Sequence, residues 1–223
     1  MSQLIKILMV DDHPMIIEGY QNTLMATKKD DQILVIDTAN NCDTALELMR
    51  KAEDSTPYDV IFFDISLPAS KDGKVTSGED LAEIARDTMP EAKVIILTMF
   101  NESYRIHNII KKISPDGFLI KSDLTSMELA EAFQHILDSP PYYSSTVSGY
   151  LKKTVVNDMY LDEHNRKILH LLSQGIKTRS LTEYVNLSMS AIEKRKKQMK
   201  LLFSIDDGKD ESLIIEARNR GYL

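Results

Sequence analysis

Short runs of consecutive apolar, largely β-branched residues alternate with longer segments of helical period through the first 138 residues, and this alternation restricts the fold more than any other feature. The runs are Ile5 to Val10, Ile33 to Thr38, Val60 to Phe63, Val94 to Thr98 and Phe118 to Ile120. They are nearly continuous in hydrophobicity, without the polar alternation of a half-solvated strand, so strands covered on both faces are expected. Helical segments fill the gaps, roughly Pro14 to Ala26, Asp43 to Lys51, Gly78 to Thr88, Ser103 to Ile113 and Ser126 to Leu137. Asp116-Gly117 is a turn into the last run. A βα repeat of this length predicts an α/β domain built on a five-stranded, doubly wound parallel sheet.

The pattern changes after residue 138. Residues 139–160 mix Pro, Ser, Tyr and Gly without sustained periodicity and read as a linker past which the sheet does not continue. From residue 161 the pattern is helical only, in four segments, with Gly175 and Gly221 placed where helices should stop. The charge divides in the same way. Residues 1–150 sum to −11 and residues 151–223 to +4, which the net −7 of the whole chain conceals. An acidic front and a basic back third predict two domains with different partners. The single cysteine, Cys42, makes neither an internal disulfide nor a CxxC metal site, consistent with the reducing cytoplasm. Apolar runs are far shorter than the roughly 18 residues of a membrane span. The opening MSQLIKILMVDDHP has too short an apolar region for a secretory signal and reads as a buried strand.

In an open α/β sheet, function gathers at the carboxyl ends of the strands. Those ends carry Asp11 and Asp12, then Asp64, then Thr98, then Lys121. Grouped carboxylates repel one another unless a hard divalent cation such as Mg²⁺ occupies the cleft. With the cation and Lys121 neutralising the cleft, a free oxygen of Asp64 can attack a phosphoryl group and form an acyl phosphate. Thr98 and Lys121 can then bind the phosphoryl oxygens. A lone Asp at a strand end usually caps a helix, but five such positions together fit that explanation poorly.

The motifs MVDDHP, DVIFFDISLP, VIILT and DGFLIKS resemble the receiver domain of two-component response regulators, over residues 5–138. The resemblance implies a flavodoxin-like fold in which Asp64 is the phosphoacceptor. It further implies that Asp11, Asp12, Asp64 and the backbone carbonyl of Ser66 hold Mg²⁺. Thr98 and Lys121 would contact the phosphoryl group, and Phe118 matches the switch aromatic that turns inward as Thr98 moves; Phe118 is also readable as a plain core residue. Met99 departs from the small residue usual after the threonine, and its bulk is expected to restrict access and lengthen the phosphorylated state. The polar stretch from Ala69 to Asp80 is longer than usual, either a kinase contact or a tolerated surface insertion.

In the basic third, a helical wheel of SMSAIEKRKKQMKLLF places Ile192, Met199 and Phe203 on one face and Ser190, Lys194, Lys197 and Gln198 on the other. The second face fits a DNA major groove, or is simply a solvated basic face. Residues 161–223 resemble the NarL/LuxR-type helix-turn-helix output domain. On that resemblance Glu193, Lys194 and Lys197 face the groove with Ser190 near the helix start, and Lys177 and Arg179 contact the DNA backbone. Asn165, Glu193 and Arg195 depart from the residues common at their positions.

The expected function is therefore a phosphorylation-controlled, DNA-binding transcription regulator rather than an enzyme. A sensor histidine kinase would phosphorylate Asp64, and a homodimer would then bind double-stranded DNA, with no membrane partner. Two alternatives stay open: a regulator independent of phosphorylation, and a helical domain that docks a protein instead of DNA. A metabolic phosphotransferase is disfavoured, since there is no Gly-rich nucleotide loop.

Overall fold

The computed structural model describes residues 2–101, 103–157 and 161–223. The first part of the chain runs β1 Gln3–Val10, α1 Pro14–Thr27, β2 Gln32–Ala39, α2 Cys42–Glu53, β3 Val60–Asp64, α3 Gly78–Thr88, β4 Lys93–Thr98, α4 Ser103–Ile113, β5 Gly117–Ile120 and α5 Ser126–Asp138. The five expected strands and helices are all present, with ends shifted by at most two residues. The strands are parallel in the order β2-β1-β3-β4-β5, and the winding reverses between β1 and β3. Beneath the sheet Phe62 stacks on Phe133 with ring centroids 6.5 Å apart, beside buried Ile7, Leu97, Leu119 and Ile136. Burial of each such side chain contributes roughly 1.5–3 kcal/mol.

β3, β4 and β5 are covered on both faces, as their composition requires. β2 is not: Ile33 and Val35 are exposed, because β2 lies at the edge of the sheet. The helices begin at side-chain caps legible in the sequence. The Asn41 side chain accepts from the Thr44 N–H, Ser77 from Asp80, and Thr125 from Glu128. Each such cap typically contributes about 1 kcal/mol.

The sheet has six strands, not five. β6, Tyr142–Tyr143, pairs in parallel with β5, its ladder anchored by Tyr142 N–H to the Asp116 carbonyl and Ser144 N–H to that of Phe118. Pro140 and Pro141 cannot donate to a ladder, but the strand starts just after them and at the sheet edge, where two residues suffice to satisfy the outer groups of β5. Beyond it, α6 spans Ser145–Asn157, a stretch poor in helix formers. Its first turn is fastened from a distance. The Asp123 carboxylate accepts from the Thr146 N–H and hydroxyl, both at 2.9 Å, and from the Ser144 hydroxyl at 2.6 Å. Burial works to raise the Asp123 pKa, but these hydrogen bonds outweigh it and hold it below the usual carboxylate value.

The described residues divide into two compact units, one of residues 2–101 and 109–147 and the other of residues 103–108, 148–157 and 161–223. The second contains α7 Glu163–Ser173, α8 Met189–Leu202 and α9 Asp210–Asn219 around buried Ile168, Leu169, Leu181, Ile192, Met199 and Leu213. Phe203 stacks on Tyr222 at 5.5 Å. Gly175 and Gly221 follow α7 and α9 with φ of 82° and 76°, the left-handed conformation in which glycine ends a helix at little strain. The segment expected to be a further helix is a 3-10 turn, Thr178–Glu183. Only Leu181 of this turn is buried, so little apolar contact holds a longer helix there.

Candidate functional site

Three carboxylates and a lysine meet at the reversal of winding between β1 and β3. Asp11 follows β1 directly, Asp64 ends β3, and β3 and β4 are registered so that Asp64 lies beside Leu97. Thr98 and Ile120 are paired across β4 and β5, which brings Lys121 to the same rim. Asp11 and Asp64 are each only 2% exposed. The Lys121 Nζ lies 2.6 Å from Asp11 Oδ2 and 3.0 Å from Asp64 Oδ2, so one buried ammonium serves two buried carboxylates.

One positive charge for two negative ones leaves the cleft electrostatically incomplete. Burial pushes the Asp64 carboxyl above its ordinary value and the Asp11 charge adds to this; Lys121 and the Ser66 backbone hydrogen bond oppose it without cancelling it. The same field, added to burial, pushes the Tyr20 hydroxyl up to about 12. Asp64 Oδ1 is buried with no hydrogen-bond partner. An orphaned carboxylate oxygen of this kind is expensive unless a cation or a bound group completes it. Ligand atoms of Asp11, Asp12, His13 and Asp64 all lie within 4.8 Å of one another, a cluster compatible with a divalent metal.

Thr98 is fully buried, its hydroxyl oxygen accepting the Phe100 N–H at 3.0 Å. Phe118 is also fully buried. Met99, between the threonine and the solvent, is 65% exposed and lines a cavity of about 400 Å³ with Met15, Tyr20, Lys121 and Leu124. The stretch from Ala69 to Asp80 folds on itself. Ser70 N–H donates to the Val75 carbonyl, the Ser70 hydroxyl to Asp72, and Thr76 binds Asp80 through both N–H and hydroxyl. Buried Val75 pins its centre.

Two residues at this rim escaped the sequence reading. Gly78 starts α3 directly beneath the phosphoacceptor candidate, and a Cβ there would stand 1.8 Å from the Asp64 carbonyl oxygen. Glycine is required by that close approach, and its place at the end of an unusually long loop hid the need. His13, visible in the DDHP motif, places its Nδ1 2.7 Å from Asp12 Oδ1 and 3.3 Å from Asp11 Oδ1.

In the second unit, α8 presents Ser190, Glu193, Lys194, Lys197 and Gln198 to solvent and buries Ile192 and Met199, as the helical wheel requires; Phe203, just past its end, is buried as well. Lys177 and Arg179 are exposed beside it. The remaining cations of α8 are engaged internally. Lys196, 5% exposed, reaches Asp210 at 2.7 Å and the Thr178 hydroxyl at 2.8 Å, and Lys200 pairs with the other Asp210 oxygen at 2.6 Å. Arg195 bonds Asp162 at 2.6 Å and Asn165 at 3.0 Å, so two unusual residues, Arg195 and Asn165, are partners of each other. Glu193 lies 3.5 Å from Lys196, which tempers its charge on the exposed face.

Comparisons with known proteins agree with this arrangement. The family model for the response regulator receiver domain matches residues 7–134. The chain is 27% identical to the transcriptional regulatory protein MctR of Rhizobium johnstonii, over 88% of this chain and 86% of that one. It is 26% identical to the nitrate/nitrite response regulator protein NarP of Escherichia coli, over 84% and 83%. The solved structure of RcsB from Salmonella enterica serovar Typhimurium, bound to a promoter with the phosphomimetic BeF3, is similar in fold. Its TM-score is 0.61 at 20% identity, covering 95% of this chain and 97% of that one.

Proposed function

Since the chain belongs to the response regulator receiver domain family, we propose that it is a cytoplasmic, DNA-binding transcription regulator switched by phosphorylation of Asp64. The observation that carries this reading is the Asp11-Lys121-Asp64 constellation with its orphaned Asp64 oxygen. We divide the chain into a receiver of residues 1–138, a connecting segment of 139–160 and an output domain of 161–223. Among the described residues, no helix is long and apolar enough to cross a membrane.

The Asp64 carboxylate is the nucleophile toward a phosphohistidine of a sensor kinase. Asp64 Oδ1 forms the new O–P bond, the P–N bond breaks, and the leaving imidazole takes a proton. Asp11, Asp12, Asp64 and the Ser66 carbonyl hold Mg²⁺, which when bound neutralises charge on the phosphoryl oxygens. Lys121, already poised between Asp11 and Asp64, pairs with one phosphoryl oxygen. Thr98 exchanges its bond from Phe100 for a bond to another, and Phe118 moves with it. The product is one acyl phosphate per chain, a switch rather than a turnover enzyme.

Phosphorylated chains pair as homodimers, and α8 enters the major groove of double-stranded DNA with Ser190, Glu193, Lys194, Lys197 and Gln198 toward the bases and Lys177 and Arg179 toward phosphates. The resemblance to NarP and to promoter-bound RcsB supports this assignment. Intact mass after incubation with Mg²⁺ and acetyl phosphate tests the first step. A phosphoryl adduct on the native chain and none on Asp64→Asn is expected; adducts on both would reject Asp64. The exposed Glu193 favours one other reading, a helical domain that docks a protein. Binding to duplex DNA that weakens steeply with salt and prefers one sequence would exclude it.

A further inference from the structure

His13 is held among the acidic side chains by contacts that leave its ring unused elsewhere. Its N–H donates to Asp11 Oδ1 at 3.0 Å, and its carbonyl accepts from Ile16 and Ile17 at the start of α1. The backbone is therefore fixed on both sides. It occupies the N-cap position of α1, yet its side chain makes no cap hydrogen bond. The imidazole instead turns to the carboxylates, with Nδ1 at 2.7 Å from Asp12 and 3.3 Å from Asp11, inside the same 4.8 Å cluster that includes Asp64. The buried, unpartnered Asp64 Oδ1 marks this cluster independently as a place where a cation is wanted.

We propose that His13 Nδ1 is itself a metal ligand, so that this cleft is a mixed oxygen and nitrogen site favouring borderline dications such as Mn²⁺ and Co²⁺ over Mg²⁺. The proposal rests on the divalent-cation part of the function above and adds a ligand and a selectivity to it. Three carboxylates alone suit a hard cation that keeps much of its water. A neutral imidazole with its proton on Nε2 offers the Nδ1 lone pair, a donor for which affinity rises along the first-row metals while Mg²⁺ gains little. No movement of the helix is needed, because the ring already stands among the oxygens.

The test uses the full chain and His13→Ala, which loses the ring but no helix cap. Mn²⁺ is added and electron spin echo modulation read for a directly bound ¹⁴N, while Co²⁺ and Mg²⁺ affinities are measured by titration. A nitrogen coupling in the native chain that vanishes in His13→Ala, with the Co²⁺ to Mg²⁺ preference falling about tenfold, is the expected result. Mn²⁺ binding without nitrogen coupling, and an unchanged preference in the variant, overturns the role of His13 while leaving the cation site in place. No binding of any of the three metals by the native chain overturns both.

Discussion

At the scale of single residues, the site is a compromise between stability and reactivity. Asp64 has its pKa raised by burial, with Asp11 adding to it and Lys121 opposing. A carboxyl raised in the folded state stabilises the fold while protonated, below its unfolded value near 3.9, and this contribution is lost as pH rises through the folded value. At neutral pH the charged Asp64 is thus a burden on the fold. Asp64→Asn is expected to unfold at a higher temperature than the native chain at pH 7 in metal-free buffer, with the advantage shrinking toward pH 4; a lower midpoint at pH 7 would show that Lys121 overcompensates. Gly78→Ala should have the opposite effect, since its Cβ meets the Asp64 carbonyl at 1.8 Å. The backbone must shift, at a cost of about 1–3 kcal/mol, and chemical denaturation should show that loss alongside slower phosphorylation. Asp11, Asp12, Asp64, Thr98 and Lys121 were all legible as strand-end residues. Gly78 and His13 were not, because their importance lies in a near-contact and in a ring direction that spacing does not encode.

At the scale of elements, α8 shows why charge counting along a helix is insufficient. Its basic run is divided by rotation about the axis: Lys194 and Lys197 face solvent, while Arg195, Lys196 and Lys200 tie α8 to Asp162, Asn165 and Asp210. Alanine at Lys194 or Lys197 is expected to weaken DNA binding for all sequences alike and to reduce the salt slope by about one, with little change in unfolding. Arg195→Ala should instead lower stability by about 1 kcal/mol, since hydrogen bonds to a charged group and a helix cap are lost, and leave the salt slope nearly intact. Salt titration and denaturant melts on the same samples separate the two classes. The helical wheel supplied the buried and exposed faces but not these ion pairs, whose acidic members lie far off in sequence. α6 makes the same point. Its sequence is a poor helix, and its first turn is held by Asp123, a residue more than twenty positions earlier.

At the scale of the whole molecule, the two units respond differently to acid. In the helical unit, burial tends to raise the Asp210 pKa, but hydrogen bonds from Lys196 and Lys200 outweigh it and the net shift is downward. Asp162, drawn down by the Asn165 N–H and Arg195 against its own burial, behaves alike. A depressed carboxyl contributes stability that is present above its unfolded pKa near 3.9 and is lost as pH falls through the folded value. Probes in residues 161–223 are therefore expected to report destabilisation below about pH 4, and Asp210→Asn should flatten that dependence; an unaltered acid profile in the variant would remove the Lys196-Asp210-Lys200 cluster from the explanation.

The division of the chain, the parallel sheet, the rim of acidic residues and the helix-turn-helix pattern were determined by the sequence alone, because burial on two faces, helical period and charge balance are local properties of composition. The tertiary structure alone decided the sixth strand, the unfinished second helix of the output unit, the pairing of Arg195 with Asn165 and the seat of His13. Each depends on which groups are left unsatisfied when distant segments meet: the open edge of β5, the little apolar surface beneath Thr178–Glu183, and the carboxylates that one lysine cannot neutralise.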